Sequence, residues 1–121
     1  MTLAADLVSL AEALEGDRGE LVTYKRKLRI ITGLLVIRDR STPQALAIAD
    51  GRADLTAHPQ DWLVRPARID FGDGPVDPAD GDRITTAAGE VYEVKPRDGE
   101  PGWRKSDPFG VLLRLRTTRE G

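Results

Sequence analysis

From Asp17 to the end of the chain, short runs of aliphatic, β-branched and aromatic residues alternate with clusters of glycine, aspartate and proline. Runs of about four to eight residues are strand-sized, and the turn formers between them reverse the chain. Glu20 to Arg26 alternates, with Leu21 and Thr23 against Val22 and Tyr24. Arg29 to Arg38 is rich in Ile, Leu and Val and carries Gly33 in its middle, which points to a bulge or bend. Thr42-Pro43 breaks that run. Gln44 to Ala57 reads as strands around an Asp50-Gly51 turn, although Ala45 to Ala49 also suits a short helix. Asp61 to Val64 is a short strand leading into an irregular stretch at Pro66. Asp82 to Thr86 and Glu90 to Lys95 form a hairpin across Ala88-Gly89, with Tyr92 and Val94 on one face. In the last strand, Val111 to Thr117, Val111, Leu113 and Leu115 face one way, and Arg114 and Arg116 the other. Two turn-rich loops remain: Phe71 to Gly81, and Pro96 to Pro108 with Trp103.

The first segment follows a different period. Leu3, Leu7, Leu10 and Leu14 recur at helical spacing, opposite Asp6, Ser9, Glu12 and Glu15. Thr2 is placed to cap such a helix and Gly16 to stop it. A helix of about thirteen residues is marginal alone, so its leucines must dock on the β-core or on a neighbouring subunit. The expected fold is therefore mainly β: a small antiparallel β-barrel or sandwich with an N-terminal α-helix. With 121 residues, a single domain is expected, with the helix over 1–16 and a barrel with long loops over 20–118.

Composition narrows the function. Eighteen Lys and Arg against twenty Asp and Glu leave a formal charge of −2, which opposes a dedicated nucleic-acid binder but not a local basic strip. There is no cysteine, so disulfides, thiolate zinc sites and cysteine nucleophiles are absent. The start, Met1 to Asp6, lacks the features of a signal peptide, and no stretch approaches the ~20 apolar residues of a membrane span. A soluble protein without membrane contact is expected.

The search for chemistry returns little. His58 is the single histidine, followed by Pro59 and without a nucleophile motif nearby, and reads as an exposed loop residue. Asp70, Asp73, Asp77, Asp80 and Asp82 resemble a calcium-binding cluster in composition only. Their spacing departs from the EF-hand loop, so a solvated turn cluster is expected and no metal. Gly72-Asp73-Gly74 lacks the third glycine and following helix of a phosphate-binding loop, and no cofactor is expected. Arg104, Lys105, Arg114, Arg116 and Arg119 make a basic strip, read first as outward strand arginines that discourage edge aggregation. Trp62 reads as core. Trp103 is equally suited to capping its own barrel and to filling a neighbour's pocket.

The second half carries a resemblance. Asp61-Trp62-Leu63-Val64, Gly81-Asp82-Arg83-Ile84 and Gly89-Glu90-Val91-Tyr92-Glu93-Val94 occur in that order. They are followed by Gly99 to Phe109, with Trp103-Arg104-Lys105-Ser106-Asp107-Pro108-Phe109 as its most specific part, and then by Leu112 to Thr117. This arrangement resembles the small head–tail joining proteins of tailed phages and prophages, over about residues 58 to 118. The helix fits that layout loosely, and Arg29 to Asp54 lies outside it.

The resemblance implies a structural, non-enzymatic virion protein: a β-barrel protomer in a neck ring, of the head-completion or stopper kind. Its partners would be further copies in a six- or twelve-fold ring, portal or adaptor proteins, tail proteins and, non-specifically, DNA in the channel. Its loops would help close that channel, and assembly would take place in the host cytoplasm. The residues expected at interfaces are Trp103, Arg104, Asp107, Phe109, Arg114, Arg116, Asp73, Asp77, Leu7 and Leu14. Opposite charge suggests that the acidic loop of one copy meets the arginine strand of the next. The competing reading is a small, non-enzymatic β-barrel binding module for a peptide or nucleic acid, which would stay monomeric at high concentration.

Overall fold

Helix α1 spans Leu3–Arg18 and the chain turns directly into strand β1, Gly19–Arg26, in the computed structural model, which describes residues 3–39, 59–96 and 99–120. The Thr2 cap, the side chain of Leu3, the break at Thr42-Pro43, the Gln44–Ala57 strands and His58 lie outside what is described. Two expectations for α1 are corrected. Gly16 does not end the helix; the constrained glycine is Gly19, where a Cβ would sit 2.2 Å from the carbonyl oxygen of Glu15. The buried face is also rotated. Ala11 and Glu15 are buried, Leu7 and Leu14 are half-buried, and Leu10 is 55% exposed. Glu15 was expected on the solvent face, but Arg68 donates to it from Nε and Nη2 at 2.6 and 3.1 Å. A carboxylate held by such a fork tolerates burial. α1 thus docks on β1 and the following strand, β2, and Glu15 ties it as well to Arg68.

β2 spans Arg29–Asp39, β3 Pro59–Val64, β4 Arg83–Thr85, β5 Val91–Val94, β6 Trp103–Lys105 and β7 Leu113–Arg119. Every pairing is antiparallel, and six strands close in the order β1-β2-β3-β7-β5-β4 and back to β1. The fold is mainly β, an N-terminal helix followed by a six-stranded antiparallel barrel. β7 is the closing strand. One edge pairs with β3 from Leu113 to Thr118, while the other is divided between β6 at Leu113–Leu115 and β5 at Thr117–Arg119. The short β6 lies inside a stretch expected to be loop. Alternation could not reveal it, because a three-residue strand has no period to read.

Gly33 behaves as its position suggested. Val22 pairs with Leu34 and Tyr24 with Ile31, so Thr23 faces two residues of β2, and Gly33 takes φ 75° in that bulge. The bulge resets the register so that Ile31 as well as Leu34 and Val36 serves the interior. That interior holds Val22, Tyr24, Leu34, Val36, Trp62, Val64, Ile69, Ile84, Tyr92, Leu113 and Leu115. Trp62 lies at its centre, edge-on to Tyr92 at 5.2 Å. Burial of ~200 Å² of ring contributes about 5 kcal/mol in gross transfer free energy. Its indole N–H donates to Thr117 Oγ1 at 2.9 Å, and the Thr117 hydroxyl donates to the Gln60 carbonyl at 2.6 Å. This explains a fully buried threonine on the inward face of β7 beside Leu113 and Leu115.

Candidate interfaces and the networks that position them

The barrel's two ends are closed by different chemistry. At the end marked by the start of β1, Arg38 lies 4.7 Å over the Trp62 ring and 5.9 Å from that of Tyr92. Its fork donates to Glu20 at 3.1 and 3.3 Å, with Glu90 at 3.8 Å. At the other end the chain from Pro66 to Gly81 folds over the opening. A 3₁₀ turn, Pro66–Arg68, leads to buried Ile69, and Phe71 and Val76 pack against the core. Arg26 and Arg29 lie 5.3 and 4.9 Å from the Phe71 ring.

Asp82 anchors that second end. Its carboxylate is 1% exposed by residue and accepts from the Tyr24 hydroxyl, from Arg26 Nε and Nη2 at 2.9 and 2.8 Å, and from the Ala79 N–H at 2.9 Å. Burial raises the Tyr24 pKa well above the usual tyrosine range, and the hydrogen bond and charge of Asp82 add to this against the opposing effect of Arg26. The Gly81-Asp82-Arg83-Ile84 segment, one of those that carry the family resemblance, therefore holds a structural lock at Asp82.

The rest of the acidic loop is shaped locally. Asp70 accepts the N–H groups of Gly72 and Gly74 at 2.7 and 3.1 Å, and Asp80 that of Gly102 at 2.8 Å. Asp73 is exposed and pairs with Arg29 at 2.6 Å, while the backbone carbonyl of Asp77 accepts from Arg26 at 2.8 Å. Among the described residues no three acids gather as metal ligands.

The arginines of β7 are engaged within their own chain. Arg114 forms ion pairs with Asp39 on β2 and, at 3.1 Å, with Asp61 on β3. Burial works against its charge, but the two carboxylates prevail and raise its pKa. Its Nε has no hydrogen-bond partner among the described residues. Arg116 donates to Glu100 at 3.0 Å. These pairs tie β7 to its neighbours, and none of them joins β7 to the acidic loop.

Asp107 shapes the loop between β6 and β7. Its carboxylate accepts the N–H groups of Phe109, Val111 and Leu112 at 2.9, 3.1 and 2.9 Å. Desolvation pulls its pKa up, but these donors with that of Gly110 outweigh it, so Asp107 titrates below the ordinary aspartate range. The outcome is a held loop that presents Phe109, 52% exposed. Trp103 is half-buried and packs against the barrel core from β6, and Arg104 is exposed beside it.

The residues singled out from sequence thus divide into three groups. Trp103, Arg104, Asp107 and Phe109 come together on the β6–β7 wall, together with Arg114 and Arg116 on β7. Asp73 and Asp77 lie on the loop that covers one end, and Leu7 and Leu14 sit half-buried on α1. Sequence reading placed both strands of the β1–β2 hairpin but named no interface residue on it. There Leu21 is 61% exposed, Leu28 95% and Ile30 52%, beside exposed Lys25 and Lys27. The signal was the string Lys25-Arg26-Lys27-Leu28-Arg29, in which a leucine stands among charges at a tight turn. Lys27 takes φ 54°, the single left-handed non-glycine among the described residues.

No curated protein and no solved structure gives a significant match to the chain. A family model does, that of the phage head–tail joining protein, over residues 2–121. It takes in the helix and β1–β2 hairpin that the sequence motifs left aside, as well as the barrel from β3 to β7. A closed β-frame whose polar groups are taken up in ion pairs and loop anchors, matched end to end by that model, belongs to the phage head–tail joining family, structural proteins of the virion neck.

Proposed function

We propose that residues 1–121 act as one domain that assembles into a six- or twelve-fold ring in the neck, seated between portal or adaptor and tail proteins. Loops at one end of the barrel help to close the DNA channel, with non-specific DNA contact, and assembly takes place in the host cytoplasm. The observation that supports this reading is the placement of two unlike apolar patches. Leu21, Leu28 and Ile30 project from the β1–β2 hairpin, and Phe109 from the loop entering β7. In the closed order of strands, β1 and β7 are three places apart, on opposite walls of the barrel. A closed ring repeats one heterologous contact, which needs two different surfaces on opposite sides of each protomer. Exposed apolar residues such as these offer contact surface, whereas the β7 arginines Arg114, Arg116 and Arg119 are already paired within the chain.

A mixing experiment tests this. Phe109→Asp alone, and Leu28→Asp with Ile30→Asp, each abolish ring formation as read by sedimentation velocity and electron microscopy. Mixed in equal amounts, the two variants form a heterodimer and nothing larger, because each retains one sound patch. Rings from either variant, or a protein that stays monomeric at high concentration without substitution, would favour a binding module instead.

A further inference from the structure

We infer that the outer face of the β1–β4 ladder holds a phosphate site, suited to the backbone of a nucleic acid. A concavity of about 300 Å³ is lined by Lys25, Lys27, Gly81 and Arg83. Three of its four lining residues are cations, and none is a carboxylate. Lys25 pairs in register with Arg83 across the ladder, so their side chains share one face. Lys27 reaches the same hollow from the hairpin turn, at the one left-handed non-glycine position described.

The neighbouring acids are directed elsewhere. Asp80 accepts from the Gly102 N–H, and Asp82 is buried among Tyr24, Arg26 and Ala79. Arg83 is steadied by Glu120 at 3.2 Å and Glu93 at 3.7 Å, and Glu93 also lies 3.8 Å from Lys95. Counting Lys25, Lys27, Arg83 and Lys95 against Glu93 and Glu120 leaves an excess of two positive charges. Among the described residues, neither Lys25 nor Lys27 has an ion-pair partner.

The hollow fits an anion that carries repeated charge. Lysine binds phosphate as a point charge without a preferred planar geometry, so neighbouring lysines follow a phosphate backbone without fixing its orientation. The one arginine here already has its fork occupied by glutamates. Two lysines in an open hollow suit successive phosphates and carry no means of reading base sequence. Ile30 pairs with Lys25 across the β1–β2 ladder and Leu28 follows Lys27 in the turn, so the hollow adjoins the apolar patch on the same wall. The site rests on the DNA contact proposed above and is tested on dispersed chains, apart from ring formation.

The test uses the full chain, dispersed, with a fluorescent DNA duplex of about 20 base pairs, anisotropy read across a salt series. Lys25→Glu is combined with Lys27→Asn, since asparagine accepts a left-handed φ; both positions are exposed, and circular dichroism checks the fold. Affinity is expected to fall about tenfold or more, with the slope of log K against log salt shrinking by roughly 0.9 for each phosphate no longer neutralised. Lys105→Glu, on β6, should leave binding within about twofold of the parent. An unchanged slope and affinity in the double variant would overturn the site, as would no DNA binding below about 1 mM. Polyglutamate competing as well as unlabelled DNA would overturn it in favour of an acidic protein partner. Sedimentation of the same samples reports association separately, so failure of the site and failure of the ring are distinguishable.

Discussion

The two ends of the barrel meet the same requirement, an aromatic interior that must be kept from water, with opposite designs. At one end a single half-exposed arginine, Arg38, lies across Trp62 and Tyr92 and reaches two glutamates. At the other a whole loop folds inward and is tied down by the buried carboxylate of Asp82. The difference teaches where the fold is vulnerable. Contacts screened by solvent are weak and replaceable, whereas a buried charge makes its partners hostage to it.

Asp82→Ala is the strongest test of that contrast. It leaves Arg26 and the Tyr24 hydroxyl without their acceptor, and should lower the unfolding free energy by about 3–5 kcal/mol in urea titrations. A drop of about 2 kcal/mol or less would mean that this end is no more vulnerable than the other. Arg38→Ala should cost less, about 1–2 kcal/mol by the same measurement, from cation–π contact and partly screened pairs. Because the two sites share no side-chain partner, the double variant should show the sum of the two single effects.

Alkaline titration sharpens the comparison further. An unfolded tyrosine titrates near ~10, while buried Tyr24 is held above that, so its contribution is complete below the unfolded value. It declines as pH rises beyond ~10, by at most about 1.4 kcal/mol per pH unit. Tyr24→Phe should flatten that limb of the stability–pH curve, and an unaltered limb would show that Tyr24 is not the titrating group.

The smallest effect concerns Asp107, which resembles Asp82 in gathering donors but takes them only from nearby backbone. Asp107→Ala should cost about 1 kcal/mol while amide protection at Phe109, Val111 and Leu112 disappears in hydrogen exchange. The depressed pKa of Asp107 means its contribution is present above the unfolded value near ~3.9 and is lost as pH falls through the folded one. Loop protection should therefore persist until the pH falls below the ordinary aspartate range.

Much of this architecture is legible in the order of residues. Period-two alternation locates β1, β2, β5 and β7, the glycine in β2 marks its bulge, and Trp62 announces the core. The helix shows in its period, but its buried face does not, because nothing local signals that Glu15 meets Arg68 fifty-three residues away. The Trp103 segment carries the family likeness, yet its pairing as β6 is hidden by a length of three residues. On the hairpin, Leu28 stands out among the charges of its turn, but Ile30 looks like an ordinary strand apolar residue until its solvent exposure is known.

Alternation and turn chemistry are local properties, so the amino-acid order by itself determined the strands, the bends between them and the family likeness. What tertiary structure alone decided was which charges meet. Arg114 found Asp39 and Asp61, and Asp82 found Tyr24 and Arg26, while Lys25 and Lys27 met no carboxylate among the described residues. Ion pairing depends on a few ångströms of separation and on solvent access, and both are set only when distant strands close into a barrel.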